Sequence, residues 1–177
     1  MKELIYIISG TNREQAVSYQ VAKIYQQEFK DLGIASEIID LQKLPVDYLF
    51  SGLYANAGKS EEMIAIRKKM KEGKKFVFVI AEYNGSFPGV LKAFIDGLEF
   101  PDTFTNKKCA LVGLSSGMQG AVLAMSHLTD ILNYCGAHVL AQKPKLGGIG
   151  AHVEDGVITN ERYMKHIKSQ VRQLLDF

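Results

Sequence analysis

Cysteine is scarce in this chain. Only Cys109 and Cys135 occur, and neither sits in a CxxC or metal-ligand spacing. Both are read as buried structural thiols of a reducing cytoplasm. The histidines, His127, His138, His152 and His166, also lack metal spacing or a neighbouring nucleophile, so no metal site is expected. Charge of one sign is lacking too. The net charge is +2, too small to argue for nucleic acid or a membrane surface, and no basic run interleaves with aromatics. The Lys68-Lys69-Met70-Lys71 cluster ends a helix that begins with Glu61 and Glu62, an arrangement that suits the helix dipole. No apolar run approaches membrane-spanning length. The run after Lys2 is short and enters a polar turn, so no signal peptide is expected. Two chemical fingerprints are missing as well: the GxGxxG dinucleotide loop and the GxxxxGK[ST] nucleoside-triphosphate loop.

What is there is a regular alternation. At 177 residues, with 47% hydrophobic and 23% charged residues, the chain is expected to be one globular domain spanning 1–177. Leu4–Ser9 reads as a strand. An apolar stripe follows through Val17, Val21, Ile24, Tyr25, Phe29 and Leu32, and Gly33 stops that helix. Ala35–Leu41 is a second strand, and an aromatic and glycine-rich connection runs from Gln42 to Lys59. A helix over Glu61–Lys71 comes next. Lys75–Ala81 is a strand without polar alternation, as a strand buried on both faces should be. Val90, Leu91, Phe94, Ile95 and Leu98 recur at helical spacing. Lys108–Leu114 is the fourth strand, Gly120–Tyr134 a helix ended by Gly136, and Ala137–Leu140 the start of a fifth strand. Asn160–Leu175 closes the chain as a helix. Alternation of this kind predicts an α/β fold with a parallel sheet and helices on both faces. The five-stranded, flavodoxin-like doubly wound order 2-1-3-4-5 fits the element count.

In such a sheet, ligands bind at the strand-to-helix turns beyond the carboxyl ends of the strands. The turn after the third strand is Glu82-Tyr83-Asn84-Gly85-Ser86-Phe87-Pro88. Asn84-Gly85 tolerates positive φ, Ser86 is placed to cap the following helix, and Pro88 fits its first turn. Alone, this could be an ordinary βα connection. The turn after the first strand, Gly10-Thr11-Asn12-Arg13 through Ser18, offers a glycine, hydroxyls, a guanidinium and a helix start. These are donors of the kind a terminal phosphate monoester needs, although helix capping accounts for Thr11 or Ser18 equally well. The turn after the fourth strand, Ser115-Ser116-Gly117-Met118-Gln119-Gly120, is small and rich in backbone donors, and suits the close approach of a flat ligand.

These motifs resemble those of the NAD(P)H-dependent FMN reductase family, which includes quinone, azo-dye and chromate reductases on a flavodoxin-like fold. Gly10-Thr11-Asn12-Arg13 with Ser18-Tyr19-Gln20 is similar to the family's G-S-x-R…S-x-N phosphate loop. Glu82 through Leu98 resembles its PEYNxSxPgxLKNAIDWL segment, and Ser115–Gly120 its glycine-rich turn. Ala81 stands in place of the family's proline, Gly97 where a tryptophan is common, and the phosphate loop is longer between Arg13 and Ser18. The resemblance implies FMN bound across the three turns. Gly10, Thr11, Arg13, Ser18 and Gln20 would surround the phosphate. Glu82, Tyr83, Asn84, Gly85 and Ser86 would lie beside the isoalloxazine, with Ser116 and Gly117 at another ring edge. It further implies NADPH or NADH as co-substrate. Catalytic side chains are not expected, because hydride chemistry belongs to the cofactor; Glu82 is read as structural rather than as an acid or base.

Two functional classes follow from this. One is a reductase passing electrons from NAD(P)H through FMN to a quinone, free flavin, azo compound or similar small acceptor. The other is a flavodoxin-type electron carrier without nicotinamide turnover. Such carriers tend to be strongly acidic for docking, which a charge of +2 does not help. The loop Tyr48–Tyr54 carries large apolar groups outside any expected helix or strand. Either it folds onto its own core, or it borders the flavin pocket and packs against a second subunit. Relatives in the family are usually dimers or tetramers, so a homodimer or homotetramer is expected.

Overall fold

A computed structural model describes residues 4–56 and 59–177; parts of the expected chain start and of the Gln42–Lys59 connection lie outside the described residues. The strands at the centre of the sheet are β1 (Ile5–Ser9), β3 (Lys75–Ala81) and β4 (Lys108–Leu114). Together with β2 (Ser36–Asp40) and β5 (His138–Val139) they run in the order β2-β1-β3-β4-β5, all parallel. Their side chains alternate between two cores, as period-two geometry requires. Tyr6, Ile8, Phe76, Phe78, Ile80 and Leu111 face one way. There they meet α3 (Glu61–Glu72), α4 (Gly89–Asp96) and α5 (Val122–Tyr134). Ile5, Ile7, Val77, Val79, Ala110 and Val112 face the other way, against α1 (Val17–Asp31) and α6 (Glu161–Asp176). Central strands apolar on both faces therefore reflect helices on both faces.

The sheet departs from expectation at its last edge. The fifth strand is two short pieces, β5 and then β6 (Lys145–Leu146), both paired with β4. Between them a side chain takes over from the ladder. Gln170, fully buried on α6, donates through Nε2 to the carbonyls of Leu111 and Gln142, both at 2.8 Å, and its Oε1 accepts the Tyr25 hydroxyl at 2.6 Å. Pro144 lacks an N–H for the ladder, and its carbonyl accepts from Gly113 instead. A small hairpin follows, β7 (Val153–Glu154) with β8 (Val157–Ile158), turning at Asp155-Gly156 with both φ angles positive.

The Tyr48–Tyr54 segment, expected to be irregular, contains a short helix, α2 (Tyr48–Ser51), and enters a 3-10 turn over Tyr54–Asn56. Tyr48 and Leu53 are buried in the core, whereas Phe50 and Tyr54 are 87% and 88% exposed. The segment is therefore anchored inward onto its own core and presents aromatics outward. Gly97 is the reason Tyr48 fits, because a Cβ there would collide with the Tyr48 hydroxyl. That hydroxyl donates to the Ala93 carbonyl, and burial pushes its pKa up to about 12. Of the two thiols expected to be buried, Cys109 is, and its pKa is pushed well up by burial. Cys135, just past the end of α5, is only half-buried. Among the described residues no helix is long and apolar enough to cross a membrane.

Candidate functional site

The carboxyl ends of β1, β3 and β4 carry their turns to one edge of the sheet, where they enclose a cleft of about 250 Å3. Thr11, Arg13 and the 15–18 segment line it from the first turn, Ala81, Glu82 and Tyr83 from the second, and Leu114, Ser115 and Ser116 from the third.

Strand β3 shapes the first turn. The Gly10 N–H donates to the Val79 carbonyl at 3.0 Å, and a Cβ on Gly10 would stand 2.7 Å from that oxygen. Gly10 thus lets two strands and a turn meet, and lies behind the cleft rather than on it. The chain swings through Gln15 at φ +50° and enters α1 at Val17, with no side chain capping the helix. Neither Thr11 nor Ser18 is spent as a cap. The Thr11 hydroxyl accepts the Arg13 N–H at 3.3 Å and lies 2.9 Å from the Tyr83 hydroxyl. Ser18 is 2% exposed, and its hydroxyl oxygen has no partner. A buried hydroxyl without a partner is destabilising by about 1–3 kcal/mol, and because Ser18 lines the cleft its oxygen is open to a partner entering there.

The second turn is a tight hairpin. Tyr83 N–H donates to the Ser86 carbonyl at 2.8 Å and Ser86 N–H returns to the Tyr83 carbonyl at 3.0 Å. Asn84 and Gly85 both have positive φ, +50° and +75°, the geometry of a type I′ turn. Ser86 therefore does not cap α4, whose cap position is Pro88. Its hydroxyl is instead 3.0 Å from His127 Nδ1 on α5.

Glu82 braces the third turn from the second, its Oε2 accepting the Ala121 N–H at 3.1 Å. Ser115 holds the turn from within: its hydroxyl accepts from Gly120 N–H at 2.9 Å and donates to the Gly117 carbonyl at 2.6 Å. Gly120 and Ala121 both have positive φ, so α5 begins at Val122 and not at Gly120 as the sequence suggested. The segment after β6 closes the cleft, with Gly148 N–H on the Gly117 carbonyl and Ile149 N–H on the Ser115 carbonyl.

Of the expected site residues, Thr11, Arg13, Ser18, Glu82, Tyr83 and Ser116 face the cleft together. Asn84, Gly85, Ser86 and Gly117 form the turns behind those walls. Gln20 lies further along α1, outside the lining. Sequence reasoning missed Gln15, Ser115 as the brace of its turn, and Ile149-Gly150. The last pair carries no periodic signal; only the nearby Gly147 marks a chain that passes close to its neighbours, since a Cβ there would stand 2.3 Å from the Met118 carbonyl oxygen.

Comparison with known proteins agrees with this geometry. The family model described as NADPH-dependent FMN reductase matches residues 4–147. An NAD(P)H:quinone oxidoreductase of Solanum tuberosum is 28% identical over 148 residues, 77% of this chain and 72% of that protein. An FMN-dependent NADPH-azoreductase of Staphylococcus saprophyticus is 26% identical over 176 residues, 97% of this chain and 93% of that protein. Among solved structures, the NAD(P)H:(acceptor) oxidoreductase FerB from Paracoccus denitrificans superposes with a TM-score of 0.76 at 21% identity, covering 99% of this chain and 96% of its own. At that identity the likeness shows the fold.

Proposed function

We infer the function from one premise: the chain belongs to the NADPH-dependent FMN reductase family. It is an FMN-dependent oxidoreductase that draws reducing equivalents from NADPH or NADH and passes them to a small acceptor such as a quinone, a free flavin or an azo compound. The observation that carries this reading is the cleft's division of labour. One wall offers free donors, and the other two are already braced.

The residues fit FMN. The unpartnered Ser18 hydroxyl, Thr11, the uncapped start of α1 and the Arg13 guanidinium would hold its phosphate. The 82–86 hairpin and Ser115-Ser116 would border its ring. Bound FMN supplies the hydride and electron chemistry. The protein's part is to bind and orient. Arg13 adds a charge-assisted contact that riboflavin cannot use. The hydrogen-bonded hairpin presents its backbone in one shape, and Glu82 holds the third turn against the second through Ala121. No side chain of the cleft is assigned an acid–base role. The same reading treats 1–177 as one FMN-binding domain working in the cytoplasm, which cell fractionation checks.

Anaerobic mixing of the FMN-loaded protein with NADPH and with NADH tests the reductase reading. Bleaching of the flavin band by either nucleotide, and its return on adding a small quinone, is the expected result. Flavin that stays oxidised with both nucleotides over minutes would move the protein to the electron-carrier class.

The reading includes a homo-oligomer, a homodimer in its simplest two-fold form. Its support is a groove of about 810 Å3 between α4 and α5, bordered by Tyr54, Leu98, Ile131 and the stacked rings of Phe100 and Tyr134, 6.1 Å apart. Exposed Phe50 and Tyr54 lie on the same α2 segment. Apolar surface gathered in this way commonly marks an interface, and a second copy is the occupant proposed. Light scattering should report an oligomer that Phe50→Ser with Tyr54→Ser weakens. A native monomer at micromolar concentration would refute it.

A further inference from the structure

Tyr83 belongs to the hairpin, yet its side chain reaches across the cleft to the first turn. Its hydroxyl lies 2.9 Å from Thr11 Oγ1, and the Arg13 N–H meets that same oxygen at 3.3 Å. Thr11 is 2% exposed and lines the cleft beside the unpartnered Ser18 hydroxyl. A threonine hydroxyl has two acceptor lone pairs and one hydrogen. Arg13 N–H takes one lone pair. If the Tyr83 O–H takes the other, Thr11 has only its hydrogen left to offer. An anion in the cleft selects this direction. In the opposite one, with Thr11 donating to Tyr83, the threonine would turn a lone pair towards negative charge.

We propose that Tyr83 is a positioning residue for phosphate recognition: by donating to Thr11 Oγ1 it sets the Thr11 hydroxyl as a donor to the phosphate of FMN. The hairpin beside the ring thereby senses whether the bound flavin carries a phosphate. This rests on the FMN reading above. Two further observations support it. The phenol's reach is fixed by backbone, since both the N–H and the carbonyl of Tyr83 are engaged in the hairpin. The far end of that hairpin is held by the Ser86–His127 contact. Hydrogen bonds joined in a chain also polarise one another, which strengthens the last donor of the series.

The test is equilibrium binding of FMN and of riboflavin to the apoprotein, followed by quenching of flavin fluorescence. The native protein should favour FMN. Tyr83→Phe keeps the ring and removes the hydroxyl, and should weaken FMN by about three- to tenfold while leaving riboflavin unchanged. Thr11→Val should narrow the preference similarly, Thr11→Ser should retain it, and the Tyr83→Phe/Thr11→Val double variant should lose little more than either single one. Should Tyr83→Phe fail to fold, Tyr83→Met gives the same comparison. Parallel loss of FMN and riboflavin would reduce Tyr83 to a wall of the ring site and overturn the proposal. So would an unchanged FMN preference in the variant. A native protein with no preference for FMN over riboflavin would overturn the phosphate assignment itself, and the proposal with it.

Discussion

The turns after β1 and β4 line the same cleft from either side of the turn after β3, and they are built in opposite ways. In the second of these, the buried hydroxyl is paired within the protein: Ser115 bonds both Gly120 and Gly117, and Glu82 takes the Ala121 N–H. In the first, a buried hydroxyl has no partner, a helix starts without a side-chain cap, and Arg13 is exposed. One turn is complete before any ligand arrives and the other is not. A braced turn contributes to the stability of the fold. An unfinished one holds its free energy back for binding, because its donors gain full partners only when an anion enters. Substitutions in the two turns should therefore separate stability from affinity.

The largest effect is expected in the braced turn. Gly120 sits at φ +60°, and a Cβ there would stand 2.6 Å from the Lys145 carbonyl carbon and 2.7 Å from Leu146 N. Gly120→Ala should destabilise the protein by about 2–4 kcal/mol, seen as a lower midpoint in urea. An unchanged midpoint would mean that β6 yields freely and the turn is not braced. In the unfinished turn, Arg13→Ala should weaken FMN by about 1.5–3 kcal/mol and leave the apoprotein's midpoint in place. Equal affinity of the native protein for FMN and riboflavin would remove the ground for that expectation. The smallest and most telling change is Ser18→Ala. Removing an oxygen that has no partner should leave the apoprotein as stable as before or slightly more so, while FMN binding weakens by about 0.5–1.5 kcal/mol. Loss of apoprotein stability with unchanged binding would show that Ser18 is structural and would erase the contrast between the turns.

The two turns were not equally legible in the sequence. The donors of the first are written in their residue types: Thr11, Arg13 and Ser18 ahead of an apolar helical stripe. What the types left open was whether Thr11 and Ser18 are capping groups, and α1 answers by having no side-chain cap. Ser86 shows the reverse. Its type and position suit a cap, but the hairpin claims its backbone and His127 its hydroxyl. The brace of the third turn could not be read locally, since Glu82 and Ala121 come from different strand-to-helix connections. The split fifth strand was hidden in the same way. Its missing ladder partner is the side chain of Gln170, which lies 59 residues beyond Leu111.

What the sequence determined by itself was the order of elements, the two-faced burial of β1, β3 and β4, and the motifs that place the chain in its family. Each depends on spacing within a few residues: period two in strands, period 3.6 in helices, and turn residues at fixed offsets. The tertiary structure alone decided which polar side chains are paired and which are left free. Thr11 and Tyr83 are 72 positions apart and meet only because parallel β1 and β3 bring their turns to the same edge of the sheet. A hydrogen bond forms between groups within about 3 Å of each other, and for residues so far apart in the chain that closeness is set by the register of the sheet.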